Sequence, residues 1–470
     1  MLGDTLSDDR LPLGRFRTSG TLDPGRDPST GTGDRSEDAG FVAESDAWKD
    51  SMMIIREQVV FGEPGDFMTV RHLTIDGTNF EIGRTLGALA VERYGQTSDY
   101  LVADPVYVRA RRAYMQQHFP MHAERMKGIA EAFGLNPDDD RYDFTGLPHL
   151  TDLPQAALGC SVVYYPPATT VTGHGYLSRN YDFFVGSMAD LMMVPEPPDA
   201  NPAPAVMSEP YIMEWHPENG GYASLAIHAF DTVSGTIDGI NSAGLVVAML
   251  ADEESMQALG PNWEPHPGPQ QVVGLHELAV MRLLLDTCAT VSEAAEALLT
   301  VKQYYRFIPC RYLVADNVGR SFIYENSTGR NMQYVIDGDG RPQLATNFQL
   351  SKHQSPETMP DGTLTMENNA FWRYRMLNER ITDHRDGFTA QEMKDTNACV
   401  SVAKLVETMN ADPVQKPIAE GLTGRTVWHS LYDQQSRTVE VSFYLGEKER
   451  ADGTLRERRS DYMTFGLDAR

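Results

Sequence analysis

Cysteine is scarce in this chain, with four in 470 residues, and Cys160, Cys288, Cys310 and Cys399 lie far apart with no Cys-x-x-Cys pair. That spacing excludes a zinc knuckle, a redox dithiol and a disulfide scaffold as organising features. Also missing is any run of about 18 apolar residues, and the N-terminus has no basic stretch followed by an apolar one. A cytoplasmic protein is therefore expected, with no membrane partner, no metal and no cofactor. Positive charge is short as well: 40 Lys and Arg stand against 66 Asp and Glu, a net charge of -26. This argues against nucleic acid as a partner and against an anionic membrane, since both require basic surface. High solubility or salt tolerance accounts for the acidity without an acidic cleft.

What is present is an ordinary globular composition, 41% hydrophobic, in a chain long enough for one large domain or two to three small ones. Residues 1–45 hold almost nothing to bury, so the entropy of ordering them is not offset, and they read as a polar tail. The expected division continues with a mostly helical segment over 46–159 and a β-rich segment over 160–470.

Strands are expected at Met52 to Ile55 and Phe67 to Ile75, then a helix from Asn79 to Val91. Gly83 and Gly87 inside it cost about 1 kcal/mol each relative to alanine, so close packing or a ligand should account for them. A second helical region from about Val106 to Phe133 is punctuated by Pro120 and closes at Gly134. The polar stretch from Asn136 to Pro154 reads as an exposed connection, and Asp138 to Asp140 lack the glycine and distal glutamate of an EF-hand. Beyond Cys160 the texture is β: hairpins at Tyr211–Trp215 with Tyr222–Phe230 and at Gly235–Ile240 with Leu245–Leu250, each around a Gly- and Asn-containing turn. Helices are expected at Gln270 to Leu285, at Ser292 to Val301 with Ser292 as N-cap, at Ala370 to Ile381 and at Val400 to Met409. Between them lie strands at Phe307–Ala315, Ser321–Glu325, Met332–Ile336 and Gln343–Asn347, and a last hairpin joins Thr426–Tyr432 to Thr438–Leu445. Blocks of strands and helices in this order suggest an α+β fold of stacked antiparallel sheets covered by helices.

The chemistry centres on Leu158 to Tyr165 and Gly175 to Phe183, two apolar runs that read as a hairpin with Cys160 at the start of its first strand. Arg179 and Asp182 sit on the second strand at an odd offset, on opposite faces, so a bulge or the strand end is needed for both to reach Cys160. A thiol with pKa near 8.5 is only slightly ionised at pH 7 and needs a base. Cleavage at Gly159-Cys160 would create one, because the new α-amino group, pKa near 7.7 to 8.0, lies in the same residue. Gly159 suits this, since a missing Cβ lets the thiol approach the preceding carbonyl for an N-to-S acyl shift. Taken alone, a single cysteine before a β run is more often a small buried hydrophobe, and Arg179 with Asp182 could be a surface pair.

Several stretches shift that balance: Gly159-Cys160-Ser161, Arg179 to Asp182, Asp238 to Leu245, Ala345-Thr346-Asn347 and Trp372-Arg373-Tyr374. In this order they resemble N-terminal nucleophile (Ntn) hydrolases, in particular the acyl-coenzyme A:6-aminopenicillanic acid acyltransferase family, related to choloylglycine hydrolases and penicillin V acylases. The resemblance covers about residues 50 to 445. It implies a four-layer αββα sandwich and an upstream propeptide whose cleaved chain stays associated with the catalytic chain; a homo-oligomer stays open. It further implies that Cys160 is nucleophile and new N-terminus, Asp182 holds the α-amino group, and Arg179 tunes the thiol. Asn347 would donate to the oxyanion together with a backbone N–H at Ala251 or Asp252, and Arg373, with Arg375 as a rival, would steady this region. The expected activity is amide hydrolysis or acyl transfer on a small-molecule acyl amide or acyl thioester. Two other readings remain: a non-catalytic binding or assembly protein on the same fold, and an uncleaved Cys-His hydrolase using His174, His353 or His429. Phe183-Phe184 and Leu191 to Val194 could line an acyl pocket, with Pro195 to Pro210 as a loop at its entrance.

Overall fold

The computed structural model of the chain describes residues 54–148, 159–186, 205, 207–255, 272–306, 308–327, 332–355, 358–360, 362–384, 386–449 and 455–467. The polar tail, the Leu191–Val194 run, residues 149–158 before the expected cleavage point and most of the Pro195–Pro210 loop lie outside the described residues.

Strands β1 (Ile54–Phe61) and β2 (Val70–Gly77) form an antiparallel pair. Thr78 then starts helix α1 (Asn79–Tyr94) with a capping box: its hydroxyl accepts from Glu81 N–H, and the Glu81 carboxylate accepts from Thr78 N–H at 2.7 Å. The region expected as one punctuated helix is two, α2 (Pro105–His118) and α3 (Pro120–Ala132). Pro120 opens α3 at a position where its missing N–H is no loss, and Gly134 follows the helix end at φ 66°. Close packing accounts for the helix glycines. A Cβ on Gly83 would lie 2.0 Å from Arg125 O, and one on Gly128 would lie 1.9 Å from Phe80 O, so α1 and α3 meet backbone to backbone.

Next come β3 (Gly159–Tyr165), β4 (Tyr176–Phe184), β5 (Tyr211–Pro217), β6 (Ser224–His228), β7 (Thr236–Asn241) and β8 (Val246–Ala251). The short β9 (Leu275–His276) precedes α4 (Glu277–Thr287) and α5 (Val291–Thr300), and β10 (Gln303–Tyr304) pairs back to β9. They are followed by β11 (Cys310–Ala315), β12 (Ser321–Ser327), β13 (Met332–Asp337), β14 (Gln343–Ala345) and helices α6 (Asn369–Asp383), α7 (Ala390–Ala398), α8 (Val402–Asn410) and α9 (Lys416–Glu420). The chain closes with β15 (Gly424–Asp433), β16 (Thr438–Glu449), β17 (Leu455–Arg459) and β18 (Met463–Gly466).

Several boundaries differ from expectation. Helix α4 begins at Glu277 rather than Gln270, which lies outside the described residues, and Thr290 rather than Ser292 caps α5. The helix expected from Val400 starts at Val402 with Ser401 as its cap, and α7, β17 and β18 were not expected at all.

One sheet has nine strands in the order β1-β2-β5-β6-β7-β8-β11-β12-β13, the other runs β14-β3-β4-β15-β16-β17 with β18 also on β16. All neighbours in both are antiparallel except β2 and β5, which run parallel, so the first sheet is not purely antiparallel. Period-two alternation on β3 shows how the layers stack. Val162 and Tyr164 point into the large core shared with Ile237, Val247 and Met249 of the first sheet. Val163 and Tyr165 point the other way, onto Leu377 of α6 and Met393 of α7. Helices α1 and α4 cover the outer face of the first sheet, which completes an α+β sandwich of helix, sheet, sheet and helix layers.

Candidate active site

The same alternation places Cys160 on the inner face of β3, between the two sheets, where it is 3% exposed. Its register partner on β4 is Tyr181, and Arg179 faces Val162, so Arg179 shares the inner face. Arg179 Nη2 lies 3.4 Å from Cys160 Sγ. The guanidinium is fully buried and fixed by Ile237 O at 2.8 Å, Met249 O and the Asp238 carboxylate at 3.4 Å. Asp238 is in turn held by the side chains of Trp428, Ser430 and Tyr432. Burial pushes the thiol up from its ordinary value, while the positive charge of Arg179 opposes that shift.

Asp182 stands across from Gly159, on the outer face of the strand pair. No bulge interrupts β3 and β4; the irregularity is in β15, between Thr426 and Trp428. Asp182 accepts from the Thr426 hydroxyl at 2.6 Å, and burial raises its carboxyl to about 6. The pair expected to converge on the thiol therefore addresses Cys160 from two sides. Arg179 meets the sulfur between the sheets, and Asp182 flanks the Gly159 side under the helices.

Arg373 and Asn347 complete the site. Arg373, on α6, donates through Nη1 to Cys160 O and to Ser161 Oγ at 3.3 Å, and through Nη2 to Asn347 Oδ1 at 2.9 Å. Asn369, one helical turn earlier, receives its Nε and Nη2. Arg375, the rival, bonds Pro360 O instead. Gly159 adopts φ 138°, and a Cβ there would lie 2.5 Å from Arg373 Nη2, so only glycine leaves room for the guanidinium.

Asn347 Oδ1 also accepts from the Cys160 N–H at 2.6 Å, while its Nδ2 donates to Ala251 O at 2.9 Å. Flipping the amide would set donor against donor and acceptor against acceptor, so the network fixes its orientation. One Nδ2 hydrogen is engaged and one remains. Of the two backbone candidates for the oxyanion, Asp252 has its N–H on Pro309 O at 2.8 Å, so in this arrangement that donor is occupied; Ala251 ends β8 opposite Cys310.

The three histidines weighed as bases all bond elsewhere. His174 contacts Asp433, His353 contacts Glu254 and Thr358 O, and His429 contacts Ser178 and Tyr462. Among the described residues none bonds Cys160, and burial lowers His429 to about 3. No group of three or more His, Cys, Asp or Glu suited to a metal ion occurs among the described residues. Nor is any helix there long and apolar enough to cross a membrane.

The family model described as acyl-coenzyme A:6-aminopenicillanic acid acyl-transferase matches residues 170–448, more than half of the chain. The chain belongs to that family. Of the site residues, the family match contains Arg179, Asp182, Asn347 and Arg373, and it begins after Cys160. Among solved structures, penicillin V acylase from Agrobacterium tumefaciens is similar at 18% identity and TM-score 0.35, over 60% of this chain and 82% of that one. A variant of conjugated bile acid hydrolase from Clostridium perfringens is similar at 14% identity and TM-score 0.41, over 66% of this chain and 99% of that one. Comparison with curated proteins gives no match.

Sequence reasoning missed the residues that hold these side chains in place. Asp238 fixes Arg179, Asn369 fixes Arg373 and Thr426 fixes Asp182, and none of the three was given that role from the sequence. It also missed Glu253. This residue, with Phe348, His353, Glu367 and Phe371, walls a cavity of about 420 Å³ that has Asn347 on its border.

Proposed function

We propose that the chain is a self-processing cysteine amidohydrolase or acyltransferase. The observation that carries this is the double hold on Cys160: Arg179 Nη2 at 3.4 Å from its sulfur and Asn347 Oδ1 at 2.6 Å from its backbone nitrogen. In the first step Cys160 Sγ attacks the Gly159 carbonyl carbon, the Gly159–Cys160 C–N bond breaks, and the nitrogen takes the thiol proton. Water then hydrolyses the Gly159 thioester, leaving a Gly159 carboxylate and a Cys160 that carries both a free thiol and a free α-amino group.

In turnover the α-amino group, with an ordinary pKa near 7.7 to 8.0, removes the thiol proton as sulfur attacks a substrate carbonyl. Arg179 favours the thiolate electrostatically, and the remaining Nδ2 hydrogen of Asn347 is the donor for the oxyanion. The amine or thiol leaving group takes the proton from the α-amino group, and water or an incoming amine then releases the acyl group from Cys160. Family membership supports an acyl amide or acyl thioester as substrate. Asp182, flanking the Gly159 side, supplies the anion next to the new ammonium.

Residues 46–159 would act as the first chain and 160–470 as the catalytic chain, associated after cleavage. Pairing of β2 with β5 along seven residues and the buried Arg125–Asp286 ion pair, each formed between the two pieces, support continued association. The test is to trap the acyl-enzyme. Brief incubation with a p-nitrophenyl acyl ester should add one acyl group to the peptide that begins at Cys160, as read by peptide mass spectrometry. An acyl group found on another residue, or none, would remove the proposal's basis.

A further inference from the structure

Glu253 plays no part in the chemistry above, yet it lies beside it. Its N–H donates to Asn347 O at 3.0 Å, two residues beyond the end of β8. Although the residue as a whole is only partly buried, its Oε1 is buried and accepts no hydrogen bond among the described residues. A carboxylate oxygen withdrawn from water without a partner is costly to leave so, and a ligand that supplies a donor relieves that cost.

The cavity that Glu253 helps to line has a consistent character. Phe348 and Phe371 stack with ring centroids 4.3 Å apart and form an apolar wall. Glu254 also lines it, but its oxygens are occupied by Gln349 N–H at 2.7 Å and His353 Nε2 at 3.1 Å. Glu367 is exposed at the rim, and neither Lys nor Arg is among the lining residues described. The cations that act on Glu253 are Arg373, engaged with Cys160 O, Ser161, Asn347 and Asn369, and Arg311, paired with Glu325 at 3.2 Å.

We infer that this cavity is a specificity pocket for an ammonium group on the substrate, with Glu253 as its anionic anchor and the stacked phenylalanines against the adjoining apolar part. The identity of the bound molecule as a substrate rests on the Cys160 reading; the binding itself does not. Burial pushes the Glu253 carboxyl up to about 7, against the opposing fields of Arg373 and Arg311 and with that of Asp252. Ammonium binding should therefore be strong above that pH and weaken below it as Glu253 takes up a proton.

Calorimetric titration of the purified wild-type protein with benzylamine and with benzyl alcohol, a neutral molecule of the same shape, tests this. Benzylamine should bind at least about tenfold more tightly, and Glu253→Gln should abolish the difference. Between about pH 8 and pH 6 the wild-type preference should shrink, a reading that needs no variant. Equal binding of the two ligands, or a preference unchanged in Glu253→Gln, overturns the pocket. The chain masses of the same sample separate the two claims. Two chains without an amine preference remove the pocket alone, and one intact, active chain with the preference removes the Cys160 reading alone.

Discussion

Two buried charge clusters in this molecule, both formed between the first 159 residues or their junction and the rest of the chain, treat their carboxylates in opposite ways. In one, Arg125 of α3 and Arg282 of α4 take the two oxygens of Asp286, and both guanidiniums lie over the Trp215 ring, at 4.9 and 4.5 Å. Burial raises the Asp286 carboxyl, but the two cations outweigh it and the net shift is downward. In the other, the partner of Asp182 among the described residues is the Thr426 hydroxyl, at 2.6 Å, and burial holds its carboxyl at about 6. Glu253 at about 7 and the raised Cys160 thiol belong to the same surroundings. Asp182 and Asp286 are both buried; the partner decides. Asp286, held between two cations, acts as a fastener, whereas Asp182 has no ion-pair partner among the described residues and suits a charge that appears later, such as the α-ammonium that the proposed cleavage would create at Cys160.

The largest effect expected from breaking this contrast is at the fastener. Asp286→Ala would leave Arg125 and Arg282 buried without their anion and should cost about 3–5 kcal/mol, read as a lower urea midpoint. At the other cluster, Asn347→Ala should lower the acyl-transfer kcat by a factor corresponding to about 3 kcal/mol if its Nδ2 meets the oxyanion. A change confined to KM would argue for a binding role instead. Gly159→Ala forces a side chain into φ 138° and against Arg373, a strain of about 1–3 kcal/mol, and should slow chain cleavage in a pulse-chase time course.

The smallest effect is on pH dependence, and its sign follows from the shift. The Asp182 carboxyl stands at about 6 against an ordinary 3.8, so the folded state binds the proton more tightly. Its contribution to stability is complete below 3.8 and is lost as pH rises through about 6. Urea midpoints of wild type relative to Asp182→Asn should therefore fall between about pH 4 and pH 6. Asp286, shifted down, contributes in the other direction, with stability lost as pH falls.

Much of the fold was legible because the patterning is strong. Asn-Gly-Gly and Asn-Ser-Ala-Gly turns between β-branched runs marked the β5–β6 and β7–β8 hairpins, and Gly83 and Gly87 pointed to a close helix contact before any partner was visible. Helix α7 escaped because its sequence, AQEMKDTNA, carries almost no apolar stripe; the Thr389-x-x-Glu392 capping box before it was the readable signal. The parallel β2–β5 pairing could not be read locally, since it joins residues some 140 positions apart. At the site, Arg179, Asp182, Asn347 and Arg373 were found as residue types in a recurring order. Their supports, Asn369 and Thr426, carry no motif and act only through contacts made by folding. Face alternation gave the opposition of Arg179 and Asp182, but not that one meets the Cys160 sulfur while the other stands across from Gly159.

Intact-mass analysis under denaturing conditions, wild type beside Cys160→Ala, addresses the cleavage most directly. Wild type should resolve into two chains, residues 1–159 and 160–470, and Cys160→Ala should remain one chain without acyl-transfer activity. A wild-type protein that is a single intact chain and still active, or a Cys160→Ala protein that still divides at Gly159, would contradict the assignment of Cys160 as a self-released N-terminal nucleophile.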